Sequence, residues 1–287
     1  MIKELGKSVF SILTKISPQL SAKVLYIYRT GEIPHIKHPR NFNDKMTKLK
    51  IEKYNMDSRI PNLADKYEVR KYVEERCGTE ILNELYGVFD KPEDIKFDEL
   101  PKKFAIKCNH GCAYNIICKD KEKLDKEEAI KKLNKWLKEK YGYATQELHY
   151  TKIKPRIIVE KYLCDENDKM PVDYKIYCFN GKAKCILLCS EREEKLRLSY
   201  YDLDWNRVKY EKDEWSSKVE YEKPINLDKM IMYAEKLSKD FDFVRVDLYN
   251  DNGKIIFGEL TFTPACCCAP YYSKTGNEEL GRLMKNI

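Results

Sequence analysis

The strongest chemical signal lies near the end of the chain, in residues 243–264, FVRVDLYNDNGKIIFGELTFTP. Read as a strand, this stretch alternates Phe243, Arg245 and Asp247 on one side with Val244, Val246 and Leu248 on the other. Asn250-Asp251-Asn252-Gly253 follows as a hairpin turn, because Asn and Gly tolerate the backbone geometry that a tight reversal needs. The returning arm, residues 254–258, delivers Glu259. Pairing the two arms brings Asp247 and Glu259 together, with Arg245 two residues before the aspartate on the same side. Two carboxylates and a guanidinium on one sheet face suit a hard, oxygen-seeking cation bound to phosphate oxygens. A surface hairpin with a solvated ion pair would read the same way, and the hairpin alone does not separate the two.

Further candidates stand upstream. Lys107 ends a short β-type run, FAIK, at the mouth of a loop, CNHGCAYN, that holds His110 and Gly111. A lone glycine makes a weak phosphate loop, and an ordinary hairpin fits the pattern equally. RIIVEKYL reads as a buried strand ending at Glu160-Lys161, with Leu163 just beyond, before an acidic loop, CDENDKMP. DYKIYCFNGKAKCILLCSERE is a hairpin turned at Asn180-Gly181, in which Asp173 and Lys175 sit two apart and face one way.

The elements that must hold these residues follow from periodicity. Residues 1–31 read as one or two amphipathic helices interrupted at Pro18, with Ile2, Leu5, Val9, Phe10, Leu13, Ile16, Leu20, Val24, Leu25 and Ile27 against Lys3, Lys7, Lys15 and Lys23. Such a basic amphipathic helix either packs on the domain or lies on an acidic membrane face. Helical patterns also run over 43–55, over LADKYEVRKYVEERCG with Asp65 at its start and Gly78 at its end, over 124–141, over 228–239 and around 278–284. Residues 79–100 are a connector with short extended pieces, 142–155 a polar connector, and 200–221 further β structure.

The chain has 287 residues, ample for a core, with 54 basic against 47 acidic side chains and a net charge of +7. That mild excess suits an anionic ligand or an acidic membrane surface. No tight basic cluster with interleaved aromatics points to nucleic acid. Residues 1–31 lack the continuous apolar core of a secretory signal, and no run approaches the ~20 apolar residues of a membrane span. A reducing, cytoplasmic setting is therefore expected, with most of the eleven cysteines acting as small hydrophobes. Cys108 and Cys112 could join Cys266, Cys267 and Cys268 around zinc if their loops met, although three adjacent cysteines do not easily face one ion.

Taken in order, DKYEVRKYVEERCG, LPKKFAIKCNHG with NIICKDK, KPRIIVEKYL, DYKIYCFNGK, and LSKDFDFVRVDLY with GKIIFGELTFTP resemble the ATP-grasp superfamily. Within it they resemble the TupA-like branch, associated with teichuronopeptide and other surface polysaccharide biosynthesis. The match covers roughly residues 42–264. It implies an α+β ATP-grasp fold in which two α+β subdomains clasp the nucleotide after an N-terminal helical region. The expected division is 1–95 helical, 96–165 lid and 166–287 catalytic.

The resemblance also implies roles. Lys107 would neutralise nucleotide phosphates beside His110 and Gly111, with His110 as a hydrogen-bond donor. The stretch from Glu160 through Lys161 to Leu163 would form the hinge at the adenine edge. Asp173 would take the ribose hydroxyls, and Lys175 would reach the phosphates. Asp247 and Glu259, with Thr261, would be magnesium ligands, and Arg245 would stabilise the acyl phosphate and the charge of transfer. The implied cofactors are ATP and Mg2+. The implied reaction is ligation of a carboxylate to an amine through an acyl phosphate, joining an amino acid or other amine to an acidic sugar or glycan precursor. A glycosyltransferase of polysaccharide biosynthesis, a non-catalytic ATP-binding scaffold and a kinase-like enzyme that stops at phosphoryl transfer are the alternatives. Three positions depart from the superfamily pattern: Thr261 replaces an asparagine ligand, Ala265 a glycine, and Cys112 a small serine-like residue.

Overall fold

The computed structural model describes residues 2–164, 170–190, 196–251 and 253–285. The turn position Asn252, the interior of the acidic loop at 165–169 and the residues after Ser190 in SERE lie outside the described residues. The architecture is α+β, with helices around two antiparallel sheets.

The larger sheet holds six strands in the order β10-β9-β5-β6-β7-β8. Its members are β5 (Val172–Phe179), β6 (Lys182–Ser190), β7 (Arg197–Tyr201), β8 (Arg207–Val208), β9 (Phe243–Asp251) and β10 (Lys254–Thr261). The β5–β6 hairpin turns at Asn180 (φ 49°) and Gly181 (φ 72°), the left-handed pair that a two-residue turn requires. On one face, Val244, Val246, Leu248 and Ile176 are buried in the core that the helix Leu227–Ser238 completes with Met230, Ala234 and Leu237.

The opposite face changes character along each strand. Phe179 pairs with Phe243, Tyr177 with Arg245 and Lys175 with Asp247. Phe42, from the helix Phe42–Leu49, covers the apolar end, packing edge-on against Phe243 at 5.3 Å. The charged end lies beyond that cover and is free to floor a cleft.

The smaller sheet has the order β1-β4-β2-β3, with β1 at Leu85–Phe89, β2 at Phe104–Cys108, β3 at Asn115–Cys118 and β4 at Ile157–Lys161. Phe104, Ile106, Cys108, Ile157 and Val159 turn to a separate core with Leu133 of the helix Lys126–Lys138. Strand alternation then puts Lys107, Ile158 and Glu160 on the other face, where all three line the cleft.

The helical readings hold at the chain start, with Ile2–Ile16 and Pro18–Thr30 separated at Ser17, and at Val69–Cys77, which ends on Gly78 at φ 89°. The connector 79–100 holds the short extended piece expected of it, β1. Two readings need correction. The polar connector after 141 contains a short helix, Tyr141–Thr145, and buries Glu147 and His149. The terminal helix begins at Lys274, capped by the Ser273 hydroxyl that accepts from the Gly276 N–H.

Candidate active site

A cleft of about 600 Å3 opens between the two sheets. Its walls include Arg29, Lys66, Arg70, Lys107, Lys175 and Arg245 against Glu160, Asp173, Asp247 and Glu259, so six cations face four carboxylates. A surplus of two positive charges in a concave site favours a polyanionic ligand.

The six-stranded sheet supplies the densest cluster. Register makes it: β5 places Lys175 opposite Asp247, and β10 places Glu259 opposite Asp247 and Thr261 opposite Arg245. The second pairing depends on a bulge between Phe257 and Glu259, centred on Gly258. Without that extra residue Glu259 would face the other side of the sheet. A side chain at Gly258 would lie 3.0 Å from the Asp247 carbonyl oxygen and 3.2 Å from the Tyr249 ring, a tight fit that favours glycine in the bulge.

Arg245 donates from Nε to Asp247 Oδ1 and from Nη2 to Asp247 Oδ2, both at 2.7 Å, a two-point clamp that fixes both side chains. Its Nη2 also donates to Thr261 Oγ1 at 3.0 Å, and the Thr261 hydroxyl donates to Glu259 Oε1 at 2.8 Å. Lys175 Nζ lies 2.6 Å from both Asp173 Oδ2 and Asp247 Oδ2.

The electrostatics follow from burial and this pairing. Burial opposes ionisation of Glu259, yet Lys66, Arg245, Lys175 and the Thr261 hydroxyl outweigh it and hold the carboxyl at about 2. Burial also opposes the charge on Arg245 and on Lys175, but Asp247 raises both above their ordinary values. Asp247, 3 % exposed, is pushed up by burial despite its two cationic neighbours.

On the smaller sheet Lys107 Nζ pairs with Glu160 Oε1. The adjoining loop is stitched down by Asn109, a fully buried residue that the sequence reading passed over. Its Nδ2 donates to Asp65 Oδ2 at 2.7 Å and to the Lys154 carbonyl at 2.9 Å, and its Oδ1 accepts from the Arg156 N–H at 2.7 Å. Lys66, next to Asp65, donates to the Gly111 carbonyl at 2.6 Å, and Arg70 donates to the Asn83 carbonyl at 2.9 Å. Both cations were missed because they stand within a helical pattern whose charges look solvated.

The structure thus brings Lys107, Glu160, Leu163, Asp173, Lys175, Arg245, Asp247 and Glu259 onto one cleft, with Thr261 braced beside them. Others lie elsewhere. His110 is buried, with Nε2 3.1 Å from the Trp136 carbonyl, and burial lowers its pKa so that it is neutral at pH 7. Gly111 offers its carbonyl to Lys66 and would set any side chain against the Tyr114 ring at 2.6 Å. Lys161 has an exposed side chain, while its N–H donates to the Glu84 carbonyl and its carbonyl accepts from Asn83 Nδ2.

A loop closes one end of the cleft. After Pro264, Ala265, Cys266 and Cys267 are all left-handed, at φ 49°, 59° and 65°. Such geometry costs ~1–2 kcal/mol per residue other than glycine. Contacts from behind hold it: Lys50 Nζ donates to the Cys266 carbonyl at 2.7 Å, and Thr47 Oγ1 to the Cys267 carbonyl at 3.0 Å. Thr263 Oγ1 donates to the buried Glu147 at 2.5 Å, and Arg29 Nη1 lies 3.6 Å from Cys266 Sγ. Among the described residues no group of three or more His, Cys, Asp or Glu side chains is placed to hold a metal ion, so the cysteines form no zinc site there. Asp247 and Glu259, side by side with a hydroxyl, nonetheless fit a hard cation whose remaining ligands are phosphate oxygens and water.

A family model described as TupA-like ATPgrasp matches residues 44–285. No curated protein matches the chain. Among solved structures the chain is similar to D-alanine--D-alanine ligase from Bacillus anthracis, at 16 % identity and TM-score 0.48 over 78 % of this chain and 66 % of that one. It is similar to the ATP-grasp ligase PsnB complexed with minimal precursor, Mg and ADP, at 12 % identity and TM-score 0.39 over 73 % and 52 %. It is also similar to N5-carboxyaminoimidazole synthase from Aspergillus clavatus in complex with ADP, at 12 % identity and TM-score 0.40 over 71 % and 45 %. The chain spans about half to two thirds of the length of these structures.

Proposed function

The chain belongs to the TupA-like ATP-grasp family, and on that premise we propose that it is an ATP- and Mg-dependent carboxylate–amine ligase. The observation that carries the proposal is the in-register set of Asp247, Glu259, Arg245 and Lys175 on the floor of a net-positive cleft. Lys107, Lys175 and Lys66 bind and orient the nucleotide phosphates as point charges. Asp173 receives the ribose hydroxyls, and Glu160 with Leu163 borders the base. Asp247 and Glu259, aided by Thr261, would hold magnesium, which when bound neutralises phosphate oxygens. Glu259 suits this role because its carboxyl stays ionised at any physiological pH.

A substrate carboxylate attacks the γ-phosphorus, the bond to the β-phosphate oxygen breaks, and ADP leaves with an acyl phosphate formed. The guanidinium of Arg245, locked by Asp247 and Thr261, faces the charge that develops in this step. An amine then attacks the acyl carbon, phosphate departs and an amide remains. We assign the acid to an acidic sugar or glycan precursor and the amine to an amino acid or other amine, in surface polysaccharide biosynthesis. Residues 1–95, 96–165 and 166–287 are proposed as the helical, lid and catalytic units, with β1 of the first unit serving as an edge of the lid sheet. The setting is cytoplasmic, at the inner face of a membrane.

The test is incubation of the protein with ATP, Mg and pooled uronic acids, sugar nucleotides and amino acids, followed by mass spectrometry of the products. ADP and phosphate that appear only with an acid–amine pair support the ligase. Release of a nucleotide from a sugar nucleotide without ATP consumption would replace it with a glycosyl transfer.

A further inference from the structure

The two N-terminal helices carry apolar side chains on their outer side and a polar pair inside. In Ile2–Ile16 and Pro18–Thr30, Thr14 and Ser21 are fully buried and bond to each other at 2.8 Å, while Val9, Ile12 and Ile16 face solvent. Ile12, Ile16 and Tyr28 are 60, 77 and 76 % exposed. The second helix does bury Ala22, Leu25 and Tyr26, but it is apolar on its outer side as well, through Leu20, Val24 and Ile27. The spacing 9, 12, 16 in the first helix and 20, 24, 27 in the second keeps these side chains on one outward side of each helix. Among the described residues, eight of the thirteen large apolar side chains that are exposed fall between Val9 and Ile33, and the other five are scattered along the chain. A stripe of this kind marks an interaction surface rather than ordinary surface variation.

Charge selects the occupant. Between Glu4 and Glu32 there is no acidic residue, whereas Lys7, Lys15, Lys23 and Arg29 all fall there, and the three lysines are exposed. A second copy of the same face would bring two such basic sets together, so charge disfavours self-association through it. No helix among the described residues is long and apolar enough to cross a membrane. We propose that this helix pair lies in the plane of an anionic lipid surface, with the stripe from Val9 to Tyr28 in the acyl boundary and the lysines at the headgroups. The second helix also carries Arg29, which lines the cleft beside the loop after Pro264, so the docked face and the cleft share one helix. The inference stands independently of the ligase reading, because none of the stripe residues lines the cleft.

The test is co-sedimentation of the full chain with vesicles of phosphatidylcholine alone and with 30 mol % phosphatidylglycerol, at low and high salt. Binding to the anionic vesicles at least ~tenfold tighter than to neutral ones, and weakened by salt, is expected. The double variant Ile12→Asp/Ile16→Asp should lose it, and Lys7→Gln/Lys23→Gln should reduce it several-fold. Both variants should keep the wild-type circular dichroism and melting temperature, because the substituted side chains are exposed. Absence of vesicle binding, or equal binding to both vesicle types, overturns the proposal. So does a wild-type oligomer in sedimentation velocity that Ile12→Asp/Ile16→Asp dissociates, since the stripe would then be a protein interface.

Discussion

The two walls of the cleft hold their charges differently. On the six-stranded sheet, Lys175, Arg245, Asp247, Glu259 and Thr261 form one interlocked network in which each polar group constrains the next. On the smaller sheet and the turn beside it, Lys107 rests on Glu160, Lys66 on the Gly111 carbonyl and Arg70 on the Asn83 carbonyl. A closed network fixes geometry in advance, which is what stabilising a developing charge demands. Separate contacts can be exchanged for phosphate oxygens at little cost, which is what reversible nucleotide binding demands. We propose that the first wall serves the chemistry, with Lys175 and Asp173 reaching the nucleotide from it, and that the second serves nucleotide capture.

Substitutions on either side should break that contrast in distinct ways. The largest effect belongs to Asp247→Asn, which should lower kcat by at least ~100-fold. It leaves Arg245 and Lys175 buried without their shared anion, so stability should also fall by about 3 kcal/mol in urea unfolding. Lys107→Met should instead raise the Kd for ATP by ~tenfold, about 1.4 kcal/mol in calorimetric titration. Its melting temperature should fall less than that of Asp247→Asn, because one largely buried partner is left unpaired rather than two. If both variants lost stability equally, the distinction between the walls would fail.

Acid unfolding sharpens the same point. The Glu259 carboxyl sits at about 2 when folded against an ordinary 4.5, so the unfolded chain binds its proton first as pH falls. Its contribution to stability is complete above pH 4.5 and is lost between 4.5 and about 2. Denaturant titrations across that window should show a shallower loss for Glu259→Gln than for the wild type. The smallest effect is expected at the strained loop: Ala265→Gly should leave the melting temperature unchanged or slightly raised. In an ordinary helix that change costs ~0.5–1 kcal/mol, but Ala265 is left-handed, at φ 49°.

Much of this was legible before the structure. Strand alternation placed Arg245 and Asp247 together, the Asn180-Gly181 turn fixed one hairpin, and the order of short motifs pointed to the fold that the family match bears out. What stayed hidden depends on contacts distant in sequence. The Gly258 bulge sets Glu259 in register, yet a single glycine in a strand pattern announces only that something irregular occurs. Asn109 looked like one more polar loop residue, and its ties to Asp65, Lys154 and Arg156 appear only when three segments meet. His110 looked well placed beside the loop but turns into the interior toward Trp136, because strand periodicity ends at Cys108 and no longer governs direction. Ala265 was visible as a departure from a glycine position, and its left-handed backbone explains why glycine is expected there.

The central claim is that the carboxylate substrate is activated by phosphorylation on the Arg245–Asp247 wall. Isotope transfer tests it directly: uronic acids labelled with 18O in the carboxylate are incubated with ATP, Mg and an amine pool, and the released phosphate is weighed by mass spectrometry. One 18O atom in each phosphate, with the signal lost in Asp247→Asn and kept at high ATP in Lys107→Met, is the predicted result. Amide formed with unlabelled phosphate, or product formed without splitting ATP, would contradict the account.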